Sequence, residues 1–266
     1  MKVTKHAQGV PSWAELMTTD EAGALAFYGS LFGWTDDPVP LPAEYGGGAY
    51  HQQRLAGALV AAIGLQNEGE RSQNVPPHWT VSLAVDDAEQ VAGRVAAAGG
   101  NVIVPAMDVF DYGRMAVLAD PTGAVVSLWQ AKSHTGFEVV GEPGAVTWCE
   151  LMTDDPDRAA AFFRTLLDVP TQTIDIGSRG LPYTLLGPAQ GERAGIMGKT
   201  PDMAHVPNSW SVYFEVADTD AAVAKTKALG GAVIREPMDI MPGRFAVLAD
   251  PQGAVFCVIK SNPMPG

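Results

Sequence analysis

The spacing of apolar residues defines the first element. Ala24, Phe27, Tyr28, Leu31 and Phe32 recur at i, i+3, i+4, i+7 and i+8, one face of an α-helix. Asp20 stands where an N-cap is needed, and Gly33 supplies a C-terminal stop. The pattern returns at Ala159, Phe162, Phe163, Leu166 and Leu167, with Asp155 as cap and Pro156 at the first helical position. Ahead of each helix the chain alternates as a strand does. Trp13, Glu15 and Met17 share one face, and Ala14 and Leu16 share the other; Trp148, Glu150 and Met152 repeat the arrangement. Apolar runs predict further strands at Ala58–Ile63, Val81–Val85, Met115–Ala119 and Val125–Trp129. A second helix in each copy opens at Asp87 and at Asp218 and is expected to end at Gly99-Gly100 and Gly230-Gly231.

The elements recur because the sequence does. Residues 13–20 return as residues 148–155 with six of eight positions identical. Residues 116–125 return as 246–255 with nine of ten identical. Trp79–Val85 matches Trp210–Val216 between them, and the order is kept throughout. Offsets of 135, 131 and 130 drift as loop insertions and deletions would make them. Asp120-Pro-Thr-Gly123 and Asp250-Pro-Gln-Gly253 read as tight turns between strands. The expected organisation is two α+β modules in tandem, residues 10–131 and 145–260, each with paired βαβββ units, curved mixed sheets and helices outside. The seam near 132–144 holds His134, Gly136, Gly141, Pro143 and Gly144.

Composition narrows the function classes. With 47% apolar and 18% charged residues, two cores can be buried and wholesale disorder is excluded. The formal net charge of −13 argues against nucleic acid and anionic membranes as partners. The longest apolar stretch, roughly Ala58–Leu65, is far short of the ~20 residues of a membrane span. No signal peptide is read at Met1–His6, and Cys149 and Cys257 read as reduced core thiols. The expectation is a cytoplasmic protein, monomer or homodimer.

The residues just quoted carry a resemblance. A first strand, a helix with the aromatic pair Phe27-Tyr28 followed by Leu31-Phe32-Gly33, the Val85-Asp86-Asp87 segment and the Asp-Pro-x-Gly turns are together similar to a vicinal oxygen chelate domain. That superfamily includes glyoxalases, bleomycin-resistance proteins and extradiol dioxygenases. The resemblance spans nearly the whole chain and is to the tandem two-module actinobacterial type. It implies a ligand cupped on the concave face of each sheet. It also implies three metal-ligand positions per module, taken by His, Gln or Glu in metal-dependent members. Here they hold Trp13, Thr80 and Ser127 in the first copy and Trp148, Ser211 and Cys257 in the second. All six depart from the pattern: Trp does not ligate, Thr and Ser are weak neutral donors, and Cys257 alone is not a site. The five histidines show no ligand spacing. No metal and no cofactor are expected.

By the same resemblance the Trp13–Glu15 face is concave. An acid on an aromatic-lined inner face is costly unless paired or protonated. Two readings of Glu15 and Glu150 stand open. They bind a polar ligand group or act as general base, or each is tied to a nearby Arg, Tyr hydroxyl or backbone N–H and joins the modules. Trp13, Trp79, Trp148 and Trp210 either floor a cavity for a flat apolar ligand or fill a core. The Gly-rich segment 44–50 lacks phosphate-binding spacing and is a flap or an ordinary loop. His78, opposite Ser209, breaks the symmetry and is a candidate ligand contact. Arg114 and Arg244 are expected to pair with acids such as Asp108 and Asp239. The function expected is metal-independent binding of a small, largely apolar organic molecule, as in sequestration. Alternatives are a cofactor-free lyase, isomerase or hydrolase using Glu15 or Glu150 as base, and an interaction protein with a filled cavity. The metal-dependent glyoxalase or dioxygenase chemistry of the superfamily ranks behind them.

Overall fold

Side-chain capping fixes where the helices begin. Asp20 accepts from the backbone N–H of Gly23 and opens α1 (Glu21–Phe32), which stops at Gly33 in the left-handed conformation. The computed structural model describes residues 1–43, 47–175, 182–188 and 194–262. In the first copy α1 follows β1 (Pro11–Thr18) and precedes β2 (Thr35–Pro40), β3 (Ala49–Leu55) and β4 (Ala58–Leu65). A short α2 (Glu68–Ser72) leads into β5 (His78–Ala84), α3 (Ala88–Arg94), β6 (Asn101–Val109), β7 (Gly113–Ala119) and β8 (Val125–Ala131). This is βαβββ written twice. The two units join side by side through antiparallel β1 and β5, giving one eight-stranded mixed sheet in the order β2-β3-β4-β1-β5-β8-β7-β6.

The second copy repeats it. β9 (Val146–Thr153), α4 (Pro156–Leu167), β10 (Thr171–Ile174), β11 (Tyr183–Leu186) and β12 (Ala194–Gly198) form one unit. β13 (Ser209–Glu215), α5 (Thr219–Ala228), β14 (Ala232–Ile240), β15 (Gly243–Ala249) and β16 (Val255–Ser261) form the other. The sheet order is β10-β11-β12-β9-β13-β16-β15-β14, the first sheet's order over again. The chain is therefore two tandem α+β modules, each of paired βαβββ units in one mixed sheet, as the repeat led one to expect. α3 is shorter than expected: it ends at Arg94, and turns carry the chain to Gly99. Arg94 reaches across the modules and donates to the Leu166 carbonyl.

Each module's first helix packs on the other module. The Phe32 ring meets Phe214 at 4.8 Å, and Phe27 meets Phe256 at 6.1 Å. The Gly-Gly pairs make this approach possible. A Cβ on Gly100 would run into Phe162, and one on Gly231 into Phe27, each also striking a carbonyl of its own sheet. The linker packs down as well: Phe137 donates its N–H to the Ser12 carbonyl, and Trp34 Nε1 donates to Gly144 O at 2.7 Å. The arginine pairs differ in part from expectation. Arg244 forks onto Asp220 and also reaches Asp239, but Arg114 pairs with Glu89, while Asp108 is taken by Lys132.

One module contact breaks the symmetry. Tyr28 accepts from Trp79 Nε1 at 3.0 Å and donates to Asp250 Oδ2 of the other module at 3.1 Å. The equivalent of Tyr28 is Phe163, which lacks the hydroxyl. Trp210 Nε1 and Asp120 Oδ2, the matching ends, have no hydrogen-bond partner among the described residues. An unsatisfied buried polar group costs about 1–3 kcal/mol. Phe163→Tyr is therefore expected to stabilise the protein by about 1 kcal/mol, and Tyr28→Phe to destabilise it by about 1–3 kcal/mol, in urea unfolding. Equal midpoints for both variants and the parent would refute this.

Candidate functional site

Strand register decides which side chains meet. Across β1 and β5, Trp13 faces Ser82 and Glu15 faces Thr80; across β5 and β8, Ser82 faces Ser127. These residues share one face, and in the first module that face opens into a cleft of about 480 Å³. Trp13 and Glu15 form part of its wall, with Tyr50, Trp129, Met115 and His134 around them.

A carboxylate on such a face needs donors, and a tyrosine supplies one. Tyr50 donates to Glu15 Oε2 at 2.8 Å, and Trp13 Nε1 donates to the same Tyr50 oxygen at 2.9 Å. The second module repeats this Trp–Tyr–Glu relay: Trp148 Nε1 donates to Tyr183 at 2.8 Å, and Tyr183 donates to Glu150 Oε2 at 2.7 Å. Of the two open readings of the acids, a Tyr hydroxyl is what holds each, and it comes from the acid's own module. Burial raises both carboxyls above the ordinary range, and the tyrosine hydrogen bonds pull against it. Burial and the adjacent carboxylates hold Tyr50 and Tyr183 well above the ordinary phenol value, so both remain donors.

The two sites differ at the other carboxylate oxygen. Glu15 Oε1 has a long contact of 3.5 Å to the Thr80 hydroxyl. Glu150 Oε1 accepts from Tyr213 at 3.0 Å. Tyr213 holds the register position of Ser82, opposite Trp148 and beside Cys257. Where the first module has a hydroxymethyl and space, the second has a phenol. Phe245 and Ile259 hold the places of Met115 and Trp129. Glu150 is correspondingly buried, whereas Glu15 is half-buried.

The remaining sequence candidates divide. Trp13, Ser127 and the Thr80 hydroxyl stand at or beside the first cleft, and Trp148, Ser211 and Cys257 hold the equivalent face of the second. Trp79 and Trp210 do not join them. Each is one residue out of phase with Thr80 or Ser211 and points to the opposite face, where Trp79 packs on Tyr28 and Trp210 on Phe163. They fill the core. His78 shares the face of Thr80 and lies near enough to act electrostatically on Glu15, but it does not line the cleft: its Nδ1 lies 2.9 Å from Pro76 O and its Nε2 3.7 Å from Glu70. The histidine that reaches the cleft is His134, from the linker, edge-on to Trp13 at 4.5 Å. Of the Gly-rich segment, residues 44–46 lie outside the described residues, as do 178–181 of its counterpart. Tyr50 begins to matter only as the relay's centre.

The residues at the superfamily's ligand positions do not fit a divalent metal. They are an indole and two hydroxyls in one module, and an indole, a hydroxyl and a thiol in the other. Burial and Glu150 push the Cys257 thiol up, away from the thiolate a metal requires. Among the described residues, no three His, Cys, Asp or Glu converge to hold an ion.

Two sheets built alike, each carrying a relay-braced acid on one face, define a paired-βαβββ protein with a cleft beside the first of these acids. A glyoxalase-like domain model matches residues 13–129 and again 148–259, and the chain belongs to this family within the vicinal oxygen chelate superfamily. It is 46% identical over 263 residues to the putative glyoxylase CFP32 of Mycobacterium tuberculosis (strain CDC 1551 / Oshkosh), covering 98% of each chain. It is 39% identical over 272 residues to the anthracycline biosynthesis protein DauV of Streptomyces sp. (strain C5), covering 97% of this chain and 95% of that one. The fold is also that of the 2,3-dioxygenase LapB from Pseudomonas sp. KL28, with TM-score 0.64, 13% identity, and 98% and 96% of the two chains covered. The Mn(II)-bound glyoxalase from Novosphingobium aromaticivorans gives TM-score 0.61 at 15% identity, covering 95% and 82%.

His134 offers a direct check on the cleft's environment. Burial lowers its pKa from 6.5 to about 4. The folded state then binds fewer protons than the unfolded one between those values, so stability is lost as pH falls from 6.5 toward 4. The raised Glu15 and Glu150 act with opposite sign, costing stability as pH rises above 4.5. NMR should find His134 neutral at about pH 5.5, and His134→Gln should remove its share of the acid loss. An ordinary titration near 6.5 would place the ring in water.

Proposed function

We propose that this protein binds a small, flat, largely apolar organic molecule in the first-module cleft without a metal. The observation that carries this reading is the contrast between the modules. The first keeps a cleft between indole rings with one braced carboxylate at its floor, and the second places Tyr213 there. Apolar walls with few convergent polar groups are what small-molecule sites require. Trp13 and Trp129 supply ring faces and edges for a planar ligand, and Glu15 supplies orientation. Sequestration, of the kind implied by the bleomycin-resistance branch, needs nothing further. The relatives named for anthracycline biosynthesis are in keeping with a ligand from secondary metabolism. No described helix is long and apolar enough to cross a membrane.

A second reading is favoured by one observation, the raised carboxyl of Glu15 facing the cleft. A carboxyl raised by burial is suited to proton abstraction near neutrality, so Glu15 would serve a cofactor-free lyase, isomerase or hydrolase as base. Turnover that rises with pH and is abolished in Glu15→Gln marks the enzyme; saturable binding without product marks the binder.

Binding next to Trp13 should quench tryptophan fluorescence saturably. Glu15→Gln should weaken that binding by about 1–3 kcal/mol, the range for a hydrogen bond to a charged group, with the fold intact. Glu150→Gln should leave affinity unchanged and lower the melting temperature, because it disturbs a buried, doubly hydrogen-bonded acid. Equal affinity losses from the two variants would refute a single working cleft.

A further inference from the structure

Tyr213 carries information about the first module's ligand. The modules share one sheet order, one register and one Trp–Tyr–Glu relay. In both, Oε2 of the acid is committed to the relay tyrosine. In the second module Oε1 is satisfied by a phenol rising from the neighbouring strand, at 3.0 Å. In the first, Ser82 stands at that position, and Oε1 has a 3.5 Å contact to Thr80 beside an open cleft. Burial raises Tyr213 well above the ordinary phenol value, so it is held as a donor.

From this we infer that the first module's ligand is a hydroxylated aromatic whose aryl O–H donates to Glu15 Oε1, and that Tyr213 is the second module's built-in substitute for it. The inference rests on the first-module cleft being the binding site and adds the chemical class of the occupant. Three features select an aryl hydroxyl over a plain apolar ring or an aliphatic alcohol. The acceptor is a carboxylate oxygen with a weak internal donor, on a half-buried side chain that lines the cleft. The walls are indole and thioether, Trp13, Trp129 and Met115, which favour π-faces. The second module solves the same electrostatic problem with a phenol laid along Phe245, ring centroids 6.3 Å apart, and Phe245 takes the place of Met115. No bond is made or broken: the proton stays on the aryl oxygen and is shared with the carboxylate.

The test is calorimetric titration of the full chain with 2-naphthol and with 2-methoxynaphthalene, the same ring without the donor. One 2-naphthol is expected per chain, bound roughly tenfold or more tightly than the ether, as a charge-assisted hydrogen bond requires. Glu15→Gln should erase most of that preference. Exchanging the plug should move the site: Ser82→Tyr should abolish binding, and Tyr213→Ser should add a second naphthol per chain. If the ether binds as tightly as the naphthol while Ser82→Tyr still blocks both, the cleft reading survives and the aryl hydroxyl is refuted. If neither compound binds, or binding is unchanged in Ser82→Tyr, both readings fall. Should either tyrosine exchange fail to fold, the naphthol–ether comparison on the parent chain and on Glu15→Gln decides the matter alone.

Discussion

A carboxylate sits on the inner face of each sheet, and much of the architecture exists to keep it there. Removing such a group from water is costly unless hydrogen bonds replace the lost solvation. Each module meets the requirement with a tyrosine from two strands away in the same sheet, itself held by the indole of the residue two before the acid. The relay ties β1 to β3, and β9 to β11, on the face away from the helices. That commits the strands to their register: a one-residue slip would turn the acid toward the aromatic core. The second module makes the fit closer still. A Cβ on Gly195 would collide with the Tyr183 hydroxyl, whereas the first module carries Ala62 at the same register position.

From this shared constraint the modules diverge. In the second a further phenol, Tyr213, is bonded to the acid; the first has a cleft beside its acid, and the linker adds a further wall. His134 and Phe137, both outside the repeat, pack against Trp13 at 4.5 and 5.5 Å. Behind the sheets the divergence runs the other way. The first helix has a tyrosine that satisfies Trp79 and Asp250, while the fourth has phenylalanine and leaves Trp210 and Asp120 unmatched. The two modules thus differ on both faces of their sheets, at the acid's second oxygen on one and at the buried tryptophan and aspartate on the other.

Much of this was legible in the sequence. The helix caps at Asp20 and Asp155, the repeat, and the common face of Trp13 and Glu15 follow from spacing alone, because period and capping are local properties. Alternation also separates Trp79 from Thr80, since neighbours in a strand cannot face the same way. Tyr50 and Tyr183 left a fainter trace, lying 35 and 33 residues after their acids. Which tyrosine reaches which acid depends on pairing across β3, β4 and β1, which no local pattern encodes. His134 was hidden for a different reason. It lies in the linker and has no counterpart in the other copy, so the repeat carries no signal for it.

The central claim is that one module is open and the other carries its own occupant. Diffraction from crystals grown with a flat hydroxylated aromatic tests it most directly. The account predicts ligand density between Trp13 and Trp129, an oxygen within hydrogen-bond distance of Glu15 Oε1, and Tyr213 still on Glu150. Density at Glu150 with Tyr213 displaced, or a metal peak between Thr80 and Ser127, would contradict it.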